Sequence, residues 1–347
     1  MGSDTRATDA RPAAGAGRPW VASGLEELIA GCEERVEVRS SDAKSGAHFE
    51  RVRIGSRRYF LKMLSADADW IMRVTGNTTN WEFKVWQAGL YQRVPEVIEP
   101  AIIGMALEGS GPTARLSMLM TDHGDDLVPP GDDPLPLDQH LGFMDHMAAF
   151  HATFMGWRDT IGLQDLARRF RFFAPEVIAP ELLVDDVPGP VRVADQGWGE
   201  LPARAPRLNA LVRAIHADPQ PLAAAMRETP CTFVSGDWKL GNLGTDPDGR
   251  TVLLDWAYPG EAPPCWELMW YLALNRSRIP QSKEETMETF RVALERHGVD
   301  TTDWWERQLG LCTVGIMATF AWEKAVGDAQ ELAWWEAAAL RGAQHLS

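Results

Sequence analysis

Cysteine is scarce and scattered in this 347-residue chain. Cys32, Cys231, Cys265 and Cys312 form no C-x-x-C, and no histidine cluster accompanies them, which excludes a structural zinc site with short-spaced paired ligands. Isolated thiols of this kind are expected to pack, reduced, inside a cytoplasmic protein. Basic charge is also short: 34 Lys and Arg against 49 Asp and Glu leave a formal net charge of −15. A chain that grips nucleic acid or an anionic membrane needs a basic face, so neither is an expected partner, and no obligate protein partner is indicated. The longest apolar run, Leu309 to Trp322, is too short and too rich in small residues to span a bilayer and reads as a buried helix. Residues 1–18 hold no apolar core, so they are no signal peptide and are expected to form a disordered tail.

What the chain does have is concentrated in Val234-Ser235-Gly236-Asp237-Trp238-Lys239-Leu240-Gly241-Asn242, followed by Val252-Leu253-Leu254-Asp255-Trp256. An Asp, a Lys and an Asn share one short loop, and a second Asp follows a strand-like apolar run. Phosphoryl transfer from Mg-ATP calls for that set: a carboxylate to take the proton of the attacking hydroxyl, a carboxylate and an amide oxygen for the metal, and a cation against the moving phosphoryl group. Asp237 is the expected base, Asn242 and Asp255 the expected Mg²⁺ ligands, and Lys239 the expected cation. Asp246, Pro247, Asp248 and Gly249 mark a turn between Asn242 and Thr251, and a hairpin there suits a metal site presented by two short strands.

The order D-x-K-x-x-N, with Asp255 thirteen residues further on, resembles the catalytic loop and metal-binding Asp of protein kinases and aminoglycoside phosphotransferases. From about residue 35 to 340 the chain resembles the aminoglycoside phosphotransferase-like superfamily (kinase-like, including choline kinases), specifically in the C-terminal part and weakly in the N-terminal one. That family usually has H-G-D followed by N, then D after a strand. Gly236, Asp237, Asn242 and Asp255 keep the pattern, and Glu267 resembles the acidic position that braces the catalytic loop. Ser235 stands where the family has His, a buttressing residue, so activity is still expected. Asp255-Trp256-Ala257 replaces the D-F-G of protein kinases. The resemblance implies an α+β, bilobal protein-kinase-like fold with a small β-rich N-lobe (residues 19–121) and a larger, mainly helical C-lobe (122–347).

The N-terminal part is read in the same light. Val36, Val38, Phe49, Val52 and Ile54 alternate with polar neighbours, and 58–63 forms a further strand carrying Lys62. A Lys within an apolar strand must snorkel to water or meet an anion. In a kinase it meets the α- and β-phosphates and is held by a helix Glu; Glu82, in the helical run after Thr78 or Thr79, is the expected partner, with Asp67 and Asp69 competing. No G-x-G-x-x-G precedes it, but Ser41 and Ser45, in the loop 40–46, are candidate phosphate contacts. Val97–Ile103 and Ala114–Met120 read as strands, and Met120 to Asp122 is the candidate hinge that would bind adenine, the last inference resting on the resemblance.

The remainder reads as helical: Phe143–Phe154 with His146 and His151 as packed residues, Leu208–Met226, and a helical tail from Trp266, with 174–206 as a long Pro- and Gly-rich connection. Only eleven residues separate Asp255 from Glu267 and no A-P-E follows, so there is no room for a peptide platform and the acceptor is expected to be a small hydroxylated molecule. Ten of the fifteen tryptophans follow residue 197, among them Trp304-Trp305 and Trp334-Trp335; indoles stack on sugars and surround ammonium groups, although most pack in cores. Asp300, Asp303, Glu306, Glu323 and Asp328 are candidates for an amino group on the acceptor, as the resemblance to aminoglycoside kinases implies, or else line an exposed helix face; that resemblance favours an aminoglycoside or amino sugar. The alternatives are a choline, sugar or amino-acid kinase, and a nucleotide-binding pseudokinase with regulatory duty.

Overall fold

A computed structural model of the chain describes residues 19–38 and 45–346. Ser41 and the 1–18 segment lie outside the described residues. The first part contains β1 (Val21–Ala22), α1 (Leu25–Leu28), β2 (Cys32–Glu37), β3 (His48–Ile54), β4 (Arg57–Leu64), α2 (Trp70–Thr75), α3 (Trp81–Gln87), β5 (Ile98–Glu99), β6 (Ile102–Glu108) and β7 (Arg115–Thr121). Six of the strands form one sheet in the order β1-β6-β7-β4-β3-β2, antiparallel except where β1 joins β6. Side chains alternate across it. Tyr59 and Leu61 of β4 pack with Val52, Ile54 and Leu119 in a small outer cluster. Leu64, Met118 and Met120 belong instead to the main core shared with the helices. Lys62, opposite Phe49 and Met118, lies on that inner side by the same alternation.

Two expectations about this half are corrected. The run Val97–Ile103 is not one strand: Ala101 takes a left-handed φ of 61°, and the chain splits there. β5 before it pairs in parallel with the strand 251–253, while β6 after it enters the six-stranded sheet. The α3 helix is not capped by Thr78 or Thr79. Asn80 occupies the N-cap position, and the side-chain oxygen of Asn77 accepts from the Trp81 amide at 2.9 Å.

The second part is mainly helical: α4 (Leu137–Thr153), α5 (Leu166–Arg169), α6 (Pro175–Ile178), α7 (Gly189–Arg204), α8 (Pro206–Ala217) and α9 (Gln220–Arg227) precede the short strands β8 (Thr232–Val234), β9 (Leu243–Thr245), β10 (Thr251–Leu253) and β11 (Gly260–Ala262), and α10 (Pro264–Asn275), α11 (Lys283–Arg296), α12 (Trp305–Ala325) and α13 (Ala329–Gly342) follow. The architecture is α+β, a sheet followed by helices, as expected. The buried helix α12 is the hub, with α7, α8, α10 and α13 packed around it.

Here too the sequence reading needs correction. The stretch 174–206 is not a connection, because 189–204 is helical. Its Pro190 sits in the first turn, where a missing N–H costs nothing. Gly197 is required by a close approach to α12, since a Cβ there would overlap the Trp322 carbonyl. Leu208–Met226 is two helices, broken at Asp218-Pro219 because the residue before proline resists the α conformation. Among the described residues no helix is long and apolar enough to cross a membrane.

Candidate active site

The loop 235–242 hangs between β8, which pairs with β11, and β9, which pairs with β10. Gly236 makes its entry possible: φ is 87°, and a Cβ there would overlap the Tyr258 carbonyl oxygen, so only glycine fits. The helix α10 holds the loop at both ends. Near its start, Glu267 Oε1 accepts from the Ser235 hydroxyl and from the Gly236 amide, each at 2.6 Å. At its end, Asn275 Oδ1 accepts from the Leu240 amide at 3.0 Å. Burial pushes the Glu267 carboxyl up to about 7 against the opposing pull of these donors and of Arg169. Its other oxygen lies 3.3 Å from His151 Nε2 on α4, itself fully buried and pushed by that burial down to about 3.

Asp237 is 2% exposed. Its Oδ2 accepts from Lys239 Nζ at 2.7 Å and from Asn242 Nδ2 at 2.9 Å, and its Oδ1 accepts from the Trp270 indole at 3.0 Å. Burial outweighs Lys239 and holds the Asp237 carboxyl above the usual carboxylate range. For Lys239 the balance reverses: burial lowers the ammonium, but Asp237 and Asp255 outweigh it and the net shift is upward.

Asp255 follows β10 with a left-handed φ of 56°, and the preceding Leu254 amide donates to the Asn242 carbonyl at 2.9 Å, which keeps the two candidate metal ligands on neighbouring strands. The Lys62 ammonium donates directly to Asp255 Oδ1. Burial opposes the charge on both, yet the pair prevails, holding Lys62 above and Asp255 below their ordinary values. This departs from the expectation for Glu82. No direct Lys62–Glu82 pair is present; Glu82 is buried beside it, accepts from Asn77 Nδ2 at 3.1 Å, and is pushed by desolvation up to about 7 although Lys62 pulls the other way. Asp69 does not pair with Lys62 either, since it caps α2 through the Ile71 and Met72 amides, and Asp67 is exposed.

The donors suit Mg²⁺. Asn242 donates through its amide nitrogen, so its oxygen remains as an acceptor for a metal, beside the Asp255 carboxylate. One carboxylate and one amide oxygen, completed by phosphates and water, is an ordinary magnesium set. Among the described residues no group of three or more His, Cys, Asp or Glu gathers as a metal site, so an ion here would depend on the nucleotide for its other ligands.

The remaining candidates scatter. Ser45 Oγ accepts weakly from the Ala47 amide at 3.4 Å. Met120 is buried in β7 opposite Phe60, and Asp122 just beyond pairs with Arg51 at 3.2 Å. Asp300 accepts from Thr302, Asp328 caps α13, and Glu323 pairs with Arg276 and Lys324, so three of the five acidic residues proposed for an amino group have partners of their own. In each tryptophan pair one ring, Trp305 or Trp335, is buried, and its neighbour, Trp304 or Trp334, is half-buried with its indole donating to Asp300 or Glu284.

No family model matches the sequence, and no curated protein does. Solved structures match over nearly the whole chain. A microcompartment-associated aminopropanol kinase aligns with a TM-score of 0.51 at 13% identity, over 88% of this chain and 90% of its own. The choline kinase LicA from Streptococcus pneumoniae aligns with a TM-score of 0.50 at 12% identity, over 92% and 96%. This chain has their kinase-like fold.

Three residues of this candidate site escaped sequence reasoning. Trp270 belongs to the helical tail from Trp266 and Asn275 to its continuation, and Asn77, before the helical run of Glu82, is part of no motif. Trp270 falls three residues and Asn275 eight residues after Glu267, about one and two helical turns on, so a helical reading that started from Glu267 would have put all three on one face.

Proposed function

We propose that the chain is an ATP-dependent small-molecule kinase that transfers the γ-phosphoryl group to an acceptor hydroxyl. The observation that carries this is the convergence of two sets of contacts from both halves of the fold: Lys62 pairs with Asp255, Lys239 and Asn242 hold Asp237, and the Leu254 amide joins the two by donating to the Asn242 carbonyl. Nucleotide would lie between the sheet lobe (19–121) and the helical lobe (122–347). Lys62 would leave Asp255 for the α- and β-phosphates, with the buried Glu82 carboxyl behind it. Asn242 and Asp255 would hold Mg²⁺, which when bound supplies charge neutralisation across the phosphates. Asp237 would orient the acceptor hydroxyl and take its proton, and Lys239 would offset charge on the phosphoryl group. Such catalysis is mostly positioning and electrostatics.

The acceptor we put forward is an amino sugar or aminoglycoside, with choline, neutral sugars and hydroxy-amino acids as alternatives. The small-molecule kinases that share the fold, one named for aminopropanol and one for choline, support an amino alcohol in general. An ADP-release assay with Mg-ATP across these acceptor classes tests the reading, with Asp237→Asn alongside. A hit abolished in the variant identifies the acceptor class. ATP binding with no transfer to any acceptor would favour the pseudokinase.

A further inference from the structure

We propose that Trp270 is the residue that positions the catalytic base, holding the Asp237 carboxylate through its indole N–H. The role rests on the kinase reading above; the contact itself does not. A carboxylate turns easily about its Cβ–Cγ bond, because that torsion has only broad minima. Lys239 and Asn242 both grip Oδ2, so the carboxylate is held from one side only unless Oδ1 has an anchor of its own. Trp270 Nε1 does so at 3.0 Å.

The indole is a more rigid anchor than the Lys239 ammonium. Lys239 sits on a flexible stem and is more than a third exposed, whereas Trp270 is buried in an aromatic wall. Its ring centre is 4.7 Å from that of Phe320 and 5.6 Å from that of Tyr258. The pairing is also selective. Two other buried tryptophans of this region, Trp238 and Trp266, leave their indole nitrogens without a hydrogen-bond partner, so burial alone does not bring an indole onto an acceptor here. An indole can only donate, and each carboxylate oxygen accepts in two directions. Trp270 therefore occupies one direction at Oδ1 and leaves the other for an incoming hydroxyl, which fixes the side from which the acceptor must approach the base.

The test has two arms. In a spectrum of ¹⁵N-labelled indoles, Trp270→Phe identifies the Trp270 signal by its loss. Asp237→Ala should then shift that signal further than any other indole. Turnover is read as ADP release from Mg-ATP with water as the acceptor, so no particular alcohol need be known. Trp270→Phe should lower kcat about 10- to 100-fold, the worth of a hydrogen bond to a charged group, with KM for Mg-ATP within about twofold of wild type. Replacement of Trp270 by β-(3-benzothienyl)alanine, which keeps the ring shape and lacks the N–H, should do the same and guards against a folding defect. An indole signal indifferent to Asp237→Ala, or wild-type kcat in either Trp270 variant, overturns the proposal. Undiminished turnover in Asp237→Asn would remove the base assignment and with it the role of Trp270, while the spectrum would still register the contact.

Discussion

Lys62 and Asp255, 193 positions apart in the chain, meet in a direct ion pair that ties the sheet to the end of β10. Each is also the group proposed to meet Mg-ATP, and under that proposal nucleotide and the internal pair would compete for the same two side chains. Lys62→Met keeps an apolar stem on the inner face of β4 and removes the cation. KM for Mg-ATP should rise about tenfold or more, because a charge-assisted contact to phosphate is lost. The fold should survive, since Asp255 is partly exposed and can turn to water. Nucleotide titration with a parallel melting curve checks both halves; unchanged KM would remove Lys62 from the nucleotide site.

Glu267 and His151 invite a prediction about pH. Glu267 is raised from 4.5 to about 7 and His151 lowered from 6.5 to about 3, both by burial first. Between about pH 4.5 and 6.5 the unfolded chain carries its proton on the histidine, and the folded chain carries one on Glu267. The proton count of the pair is then equal in the two states, and its contribution to stability is flat with pH. Glu267→Gln removes one side of that balance. His151, depressed in the fold, then favours folding above pH 6.5 and loses that contribution as pH falls. The variant should therefore weaken relative to wild type by roughly 1.4 kcal/mol per pH unit between 6.5 and 4.5. Denaturant unfolding of both proteins at pH 7, 6 and 5 measures the difference, with other titrating groups cancelling. A pH-independent difference would mean that Glu267 does not take up a proton on folding in this range.

The candidate catalytic loop was legible because its residues are local. Asp237, Lys239 and Asn242 lie within six residues, and Asp255 follows one hairpin later. The strands from residue 35 on were legible as polar–apolar alternation or apolar runs, apart from the break at Ala101, where a left-handed residue inside an apolar run carries no compositional mark; the two-residue β1 is too short to show a pattern. Helix α7 was hidden by its prolines and glycines, which reasoning by propensity counts as breakers. In the fold Pro190 takes a harmless first-turn position and Gly197 admits the neighbouring helix. The direct partner of Lys62 was missed for a different reason. Sequence pairs a strand lysine with the next helical carboxylate, and only the folded geometry shows that Asp255 is nearer than Glu82.

Ser235 gives a local test of how the loop is braced. Its hydroxyl is one of two donors to Glu267 Oε1, the other being the Gly236 amide, and its side chain is buried. Ser235→Ala should cost about 1–2 kcal/mol, since one hydrogen bond to a buried carboxyl is lost while the second persists. Ser235→His would have to fit an imidazole into the same close-packed space and should cost more, through overpacking. Equilibrium unfolding at one pH ranks the two. A histidine variant more stable than wild type would show that the packing can open to receive it.

Arg73 and Glu181 offer a contrast in how exposure decides the worth of an ion pair. Arg73, on α2, donates from Nε and Nη2 to the two oxygens of Glu181 at 2.7 Å each, which fastens α2 to the turn after α6. The Glu181 side chain is only 5% exposed, whereas in the pair Arg213–Glu176 the two side chains are 46% and 59% exposed. Screening and side-chain entropy leave an exposed pair of the second kind nearly worthless, so Glu176→Ala should change stability by less than about 0.5 kcal/mol. Glu181→Ala removes a bidentate acceptor from a largely desolvated site and should cost about 1–2 kcal/mol, discounted from the fully buried case because Arg73 remains one-third exposed and keeps the Asp67 carbonyl at 2.9 Å. One molar salt should leave most of that loss in place, since ions reach a buried carboxylate poorly. Unfolding curves for both variants at low and high salt separate the cases, and equal, salt-sensitive losses at the two sites would show that the Arg73–Glu181 contact is a surface pair after all.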